Sequence, residues 1–265
     1  THYMNLSRKF WRNKTIAITG ANGFLGSKLV EKLEQLNTGI ELIKISSRKY
    51  DLRSQSQIIK FFKSHKPDYV FHLAANVGGI GANLKNPANF FYDNATMGIN
   101  FLHYSHLNKV RKFLATATVC AYPANTPIPF KEKDIWKGYP EPTNAPYGIA
   151  KKILSVQSKA YRQQYNFNSV VVYPVNLYGP GDNFDDNSSH VIPALIKKIY
   201  SAKINNIKSV DVWGTGIAKR EFLYVDDLVK ALILAMEKYD SSEPINIGTG
   251  QTISIKNLVK KISII

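Results

Sequence analysis

Cysteine is nearly absent. Cys120 is the one thiol in 265 residues, so no disulfide can form within the chain, and a reducing cytoplasm is the expected setting. Long apolar runs are missing as well. No stretch approaches the roughly 20 residues that cross a bilayer, so no membrane partner is expected. The opening segment, Thr1–Lys14, is polar and basic with no apolar core. No secretion signal is therefore expected, and Met4 is the expected native start. Internal repeats and low-complexity stretches are also lacking. Acidic residues are scarce, 19 against 35 basic, for a formal net charge of +16. That imbalance suits either a nucleic-acid binder or an enzyme with anionic ligands. The lysines lie scattered in pairs (Lys151-Lys152, Lys197-Lys198, Lys260-Lys261) rather than in one basic arm. No zinc pattern or RNA-recognition signature accompanies them, so the enzyme reading is preferred, with no metal and no nucleic acid.

The chain is 44% hydrophobic, enough for a sizeable core. Short β-branched runs alternate with longer helical patterns. Thr15–Thr19, Glu41–Ile45, Tyr69–Ala74, Lys112–Thr118 and Ser169–Tyr173 read as strands. Ser27–Leu36, Ile58–Ser64, Asn89–Leu107 and Tyr147–Tyr165 read as helices. Such alternation implies α/β architecture, a doubly wound parallel sheet of Rossmann type over residues 1–174, with ligands at the carboxyl ends of its strands. After Pro174 the pattern changes. Residues 176–189 read as a polar loop, His190–Ala202 as a helix and Val210–Trp213 as a short strand. Asp226 or Asp227 is the expected cap of a helix running to Lys238. Residues 175–265 are expected to form a smaller substrate lobe, with about 215–240 packing back onto the first unit.

The first strand runs directly into Gly20-Ala-Asn22-Gly23-Phe24-Leu25-Gly26 and then a helix. In that setting one glycine permits a tight turn, one a close pyrophosphate and one tight helix packing, while the helix start offers bare N–H groups. The GxxGxxG spacing resembles short-chain dehydrogenases. The second strand ends in Ser46-Ser47-Arg48-Lys49, without the carboxylate that would repel a 2′-phosphate. NADP is therefore the expected cofactor. Asp51 is expected to accept from the adenine amine, and His72-Leu73-Ala74-Ala75 and Thr116 to lie beside the cofactor.

Tyr147 and Lys151 stand four apart in a helical stretch and share a face. An ammonium beside a phenol favours the phenolate, so Lys151 is expected to lower the pKa of Tyr147. Thr118 ends the fourth strand, where short-chain dehydrogenases place a third catalytic hydroxyl. Cys120 lies two residues further on, on the same side if the strand continues. On composition alone it reads as a buried strand cysteine, and His190 as a capping or surface histidine.

Larger blocks change that balance. Val77-Gly-Gly-Ile-Gly-Ala-Asn83, Cys120-Ala-Tyr-Pro123, Glu141-Pro-Thr-Asn-Ala-Pro-Tyr147, Asn176-Leu-Tyr-Gly-Pro180, Ser189-His-Val-Ile-Pro-Ala-Leu195 and Arg220-Glu-Phe-Leu-Tyr-Val-Asp-Asp227 follow one another along most of the chain. Together they resemble the GDP-L-fucose synthases. The resemblance implies an NADPH-dependent epimerase and reductase of GDP-4-keto-6-deoxy-D-mannose. It makes Cys120 the base and His190 the acid of epimerisation, Tyr147 the proton donor in reduction, Lys151 its partner, and Thr118 an aid at the carbonyl. It adds Pro174, Asn176, Leu177 and His190 at the nicotinamide. For the GDP-sugar it adds Asn176, Val191, Lys198, Trp213 and Arg220. Homodimers built from the two long helices are the rule in such relatives. The family usually has serine in place of Thr118, often arginine in place of Lys198, and runs some tens of residues beyond the position of Ile265. A 4,6-dehydratase would need an acidic pair where Val119-Cys120 stands, and a UDP-hexose 4-epimerase an acidic NAD signature at the second strand. A reductase or epimerase of another GDP-4-keto sugar or heptose, and a non-catalytic NADP-binding protein, remain as alternatives.

Overall fold

Alternate residues of the central strands feed two separate cores. Ala17, Val70, Phe113, Ala115 and Val171 point to one face of the sheet. Ile16, Ile18, Phe71, Leu114, Val170 and Val172 point to the other. With both faces covered, near-continuous apolar runs are what a parallel sheet requires. A computed structural model describes residues 6–186 and 188–264; Met4 and Ile265 lie outside them. Among these the helices are α1 (Arg8–Trp11), α2 (Phe24–Glu34), α3 (Gln55–Ser64), α4 (Ile80–Lys85), α5 (Pro87–Leu107), α6 (Ala145–Tyr165), α7 (Val191–Ile204), α8 (Val225–Lys238) and α9 (Ile255–Ile264). The strands are β1 (Thr15–Thr19), β2 (Glu41–Ile45), β3 (Tyr69–His72), β4 (Lys112–Thr116), β5 (Ser169–Pro174), β6 (Asn176–Tyr178), β7 (Lys219–Tyr224), β8 (Ile245–Ile247) and β9 (Thr252–Ser254).

The main sheet has the order β2-β1-β3-β4-β5-β8, and each pairing in it is parallel. Its direction of winding reverses between β1 and β3, the place where doubly wound sheets open a crevice for ligands. Helices α3, α5 and α6 cover one face through Phe61, Phe101 and Leu154. Helices α2 and α8 cover the other through Leu29, Leu33, Leu228 and Leu232, with Trp11 beside them. Each fully buried phenylalanine contributes about 2–3 kcal/mol. A second sheet, β6-β7-β9, lies outside the first. No described helix is long and apolar enough to cross a membrane.

Several expectations need correction. Residues 176–189 are not loop throughout, because Asn176–Tyr178 pairs with β7. Val210–Trp213 is not a strand; Trp213 is 91% exposed, and the pairing strand is Lys219–Tyr224. Alternation there had no partner edge to support it. Asp226 and Asp227 do not cap α8. Tyr224 is the N-cap, and the two carboxylates sit in the first turn, where they complement the helix dipole. The strand expected to run to Thr118 stops at Thr116, and the one expected to reach Ala74 stops at His72. β8 and β9 are three residues each, too short to show a period.

The far end of α8 is closed by a charge. Lys112 opens β4, is 5% exposed, and donates from Nζ to the carbonyls of Ala235 (2.7 Å), Met236 (2.7 Å) and Tyr239 (2.6 Å). The Ala235 carbonyl also accepts the Tyr239 N–H at 3.1 Å, whereas those of Met236 and Tyr239 lie past the last helical N–H, and a cation there also meets the negative end of the dipole. Lys112→Ala should lower the unfolding free energy in urea by about 2–3 kcal/mol; an unchanged midpoint would contradict this reading.

Candidate active site

One cleft of about 1830 Å³ runs across the carboxyl ends of the main strands. The catalytic candidates Thr118, Cys120, Tyr147, Lys151 and His190 all line it. So do the dinucleotide candidates Gly20, Asn22, Gly23, Phe24, Leu25, Gly26, Ser47, Arg48, Asp51, Leu73, Ala74, Ala75, Thr116, Pro174, Asn176 and Leu177, and the sugar candidates Val191, Lys198, Trp213 and Arg220. His72 is the exception within its block: it is fully buried beneath the cleft floor.

The dinucleotide end is set by β1, α2 and the turn between them. Gly20 has φ +69°, and a Cβ on Gly26 would fall 2.0 Å from the Gly20 carbonyl oxygen. No side chain fits there, so α2 packs hard against the turn. The helix then begins with no side-chain cap, which leaves its first N–H groups for an anion. Across the cleft, Ser47 and Arg48 stand exposed on the rim. Asp51 is engaged by Arg53, which donates from its backbone N–H (2.9 Å), Nε (3.0 and 3.2 Å) and Nη2 (2.9 Å). Those bonds hold the Asp51 carboxyl below its usual range. The Arg53 guanidinium also reaches Asp93 at 3.0 Å. Asp51 lines the cleft with its carboxylate paired to Arg53. Arg53 is shared by two carboxylates, and Arg48 adds an exposed cation to this wall. Arg53 escaped sequence reasoning, although an arginine two residues past the aspartate was visible. A glycine cradle, an open helix N-terminus and an exposed serine and arginine on the far wall fit a dinucleotide bearing a 2′-phosphate.

At the catalytic end Tyr147 and Lys151 project from one face of α6, whose first turn carries Pro146, a favoured place for proline. Lys151 is 1% exposed, and its Nζ donates to the Ala74 carbonyl at 3.3 Å. The Ala74 N–H in turn donates to Thr19 Oγ1 at 3.0 Å, and that oxygen lies 2.9 Å from His72 Nδ1. Burial, then the nearby Lys151 charge, push the His72 pKa well down, so this support stays neutral. Burial also pulls Lys151 down to about 8. Tyr147 moves the opposite way from expectation. Burial first, then the Cys120 charge, push its phenol upward. Lys151 turns to a carbonyl, and desolvation of the phenolate sets the direction. Tyr147 is thus kept in the proton-donor form.

The chain does not stay extended beyond Thr118. Val119–Ala121 forms a 3-10 turn capped by the Thr118 hydroxyl, which accepts from the Cys120 N–H at 3.2 Å. Cys120 nevertheless reaches the cleft, because the turn presses against α6. A Cβ on Gly148 would fall 2.6 Å from the Cys120 carbonyl oxygen. Gly148, in Tyr147-Gly-Ile-Ala-Lys151, was another missed residue; a glycine inside a long helix was its signal. His190 does not open α7 as a helical residue. It is the N-cap, with no side-chain capping bond, and stands exposed. The Gly79 N–H donates to the Ser188 carbonyl at 3.3 Å and so ties this segment to the loop after β3. Lys198 donates to the Asp211 carbonyl. Trp213 and Arg220 are exposed at the outer mouth.

Residues 16–248 match the profile of the NAD dependent epimerase/dehydratase family. The chain belongs to that family. It is 38% identical over 249 residues to GDP-L-fucose synthase 1 of Arabidopsis thaliana, covering 94% of this chain and 77% of that one. It is 41% identical over 245 residues to the GDP-L-fucose synthase of Sinorhizobium fredii, covering 92% and 77%. Among solved structures, the fold is similar to a GDP-6-OMe-4-keto-L-xylo-heptose reductase from C. jejuni, with a TM-score of 0.87, 31% identity, and coverage of 95% and 83%. It is also similar to a GDP-L-fucose synthetase from Naegleria fowleri bound to NADP, with a TM-score of 0.86, 30% identity, and coverage of 95% and 77%.

The buried lysine of this epimerase-family cleft has a stability signature. The fall from 10.5 to about 8 corresponds to a penalty on the charged form of about 3 kcal/mol. Between those two values the unfolded chain binds more protons, so wild type gains stability as pH rises. Lys151→Met should therefore be more stable than wild type by about 3 kcal/mol at pH 7, a gain that disappears by about pH 10.5. A difference independent of pH in urea melts would contradict the burial argument.

Proposed function

We propose that this chain is an NADPH-dependent epimerase and reductase that converts GDP-4-keto-6-deoxy-D-mannose to GDP-L-fucose. One observation carries the reading. A single cleft is lined by a redox pair, Tyr147 and Lys151, and by two further proton-transfer groups, Cys120 and His190, from separate segments. A reductase alone needs only the first pair. The relatives named as GDP-L-fucose synthases support the same substrate.

The 4-keto group acidifies the hydrogens at C3 and C5 of the sugar. Cys120 takes the proton from such a carbon, and His190 returns one to the other face, so the centre inverts. Tyr147, held protonated by burial, gives its proton to the C4 oxygen. The Thr118 oxygen already accepts from the Cys120 N–H, which leaves its own O–H to donate to that carbonyl. Bound in the cradle, the reduced nicotinamide supplies the hydride. Lys151 would hold its ribose, and Ser47 and Arg48 its 2′-phosphate. Lys198 and Arg220 at the outer mouth suit the GDP diphosphate, and Trp213 offers a ring for stacking.

The fold likeness to a heptose reductase favours a second reading, reduction of a GDP-4-keto-heptose without epimerisation. The methyl of Thr118 alters the sugar wall and bears on that choice. A cytoplasmic homodimer through α5 and α6 belongs to the proposal. Phe91, Ile99 and Leu107 on α5, and Val156 and Tyr165 on α6, are apolar and exposed, as such an interface needs.

Purified protein should oxidise NADPH when given GDP-4-keto-6-deoxy-D-mannose, and use NADH at least tenfold less well. Cys120→Ser and His190→Asn should each slow formation of GDP-L-fucose by about a hundredfold or more. No NADPH oxidation with this sugar, or variants as fast as wild type, would sink the proposal.

A further inference from the structure

Asp182 lies between β6 and α7, in the segment that carries His190. Its backbone N–H donates to the Gly179 carbonyl at 3.3 Å, and its Oδ1 accepts from the Asn183 N–H at 2.7 Å. The carboxylate is thereby fixed in direction. Its other oxygen, Oδ2, is buried and has no hydrogen-bond partner among the described residues. Buried acceptors without donors are rare because desolvation of a carboxylate oxygen is costly. The neighbouring polar groups do not supply one. The Asn183 side chain donates to Ser188 Oγ at 2.8 Å, Ser188 donates to Asp185 at 3.0 Å, and Lys197 pairs with Asp186 at 2.8 Å.

Asp182 and His190 line the same cleft. Burial raises the carboxyl pKa of Asp182, and the Asn183 N–H and then the His190 charge oppose that rise. His190 is the N-cap of α7 and makes no side-chain capping bond, and it stands exposed.

We propose that Asp182 is a positioning residue for His190: its free Oδ2 accepts one ring N–H and turns the other ring nitrogen toward the sugar. The inference rests on the reading of His190 as the acid. During epimerisation the outward N–H bond of the imidazolium breaks as the new C–H bond forms, which leaves the neutral tautomer whose remaining N–H Asp182 holds; Cys120 then gives its proton to water, and water returns one to the ring. Asp182 stays ionised and selects one tautomer and one ring orientation.

The test combines ring ¹⁵N NMR with solvent exchange. In ¹⁵N-histidine protein, His190 is identified by the signal lost in His190→Asn. Wild type should show one dominant tautomer, and Asp182→Asn a mixture. With the GDP-4-keto sugar in D₂O, Asp182→Asn should lower kcat for deuterium incorporation roughly tenfold to hundredfold with KM within about twofold. Asp182→Glu should recover most of that loss, and serves if the asparagine variant does not fold. An unchanged His190 tautomer in Asp182→Asn, or a loss carried by KM alone, would overturn the inference. If wild type exchanges no deuterium, the acid role of His190 fails, and the tautomer signal alone decides whether Asp182 orients the ring.

Discussion

The catalytic end depends on how closely α6 approaches the turn after β4. Gly148 permits that approach, since any side chain there would meet the Cys120 carbonyl. Because the helix and the turn touch, two groups on α6 and two groups on the turn share one wall of the cleft. Tyr147 sits next to the contact, and Lys151 one helical turn further on. Thr118 and Cys120 are held by the hydrogen bond within the turn itself. Moving the helix outward by an ångström would separate the proton donor from the carbonyl aid, a displacement that can lower turnover on the order of a hundredfold.

The same close packing dehydrates the floor, and burial then decides the protonation states. It keeps Tyr147 neutral, brings Lys151 down to about 8, and keeps His72 uncharged beneath them. The lysine is bound to the Ala74 carbonyl, and the Ala74 N–H to Thr19, so the end of β3 supports the end of α6. The rim differs. Arg48, Lys198 and Arg220 stand exposed, where a cation attracts phosphate with little desolvation cost. A dry floor for proton transfer and a wet positive rim for nucleotides follow from one sheet with helices on both faces.

Much of this was legible in the sequence where a residue's role is local. The glycine turn, the Tyr-x-x-x-Lys pair and the five leading strands have short-range signals: φ constraints, helical spacing and short β-branched apolar runs. The distant candidates, Trp213 and Arg220, were found through resemblance rather than spacing. What sequence could not supply depends on tertiary contact. Val210–Trp213 alternates like a strand yet has no edge to pair with, whereas Asn176–Tyr178 looks like loop and pairs with β7. Lys151 was expected to acidify Tyr147, but its direction is set by Ala74, which lies 77 residues away in the chain. The chain turns after Thr118 because that hydroxyl caps a 3-10 turn of its own chain, a local hydrogen bond that residue spacing does not show.

The most direct test of the central claim, that redox and epimerising groups act on one sugar in one cleft, is the NMR spectrum of product formed in D₂O from GDP-4-keto-6-deoxy-D-mannose and NADPH. The account predicts GDP-L-fucose carrying solvent deuterium at both C3 and C5. A reduced sugar with no deuterium at either carbon would contradict it, and would leave Cys120 and His190 as residues of the cleft wall.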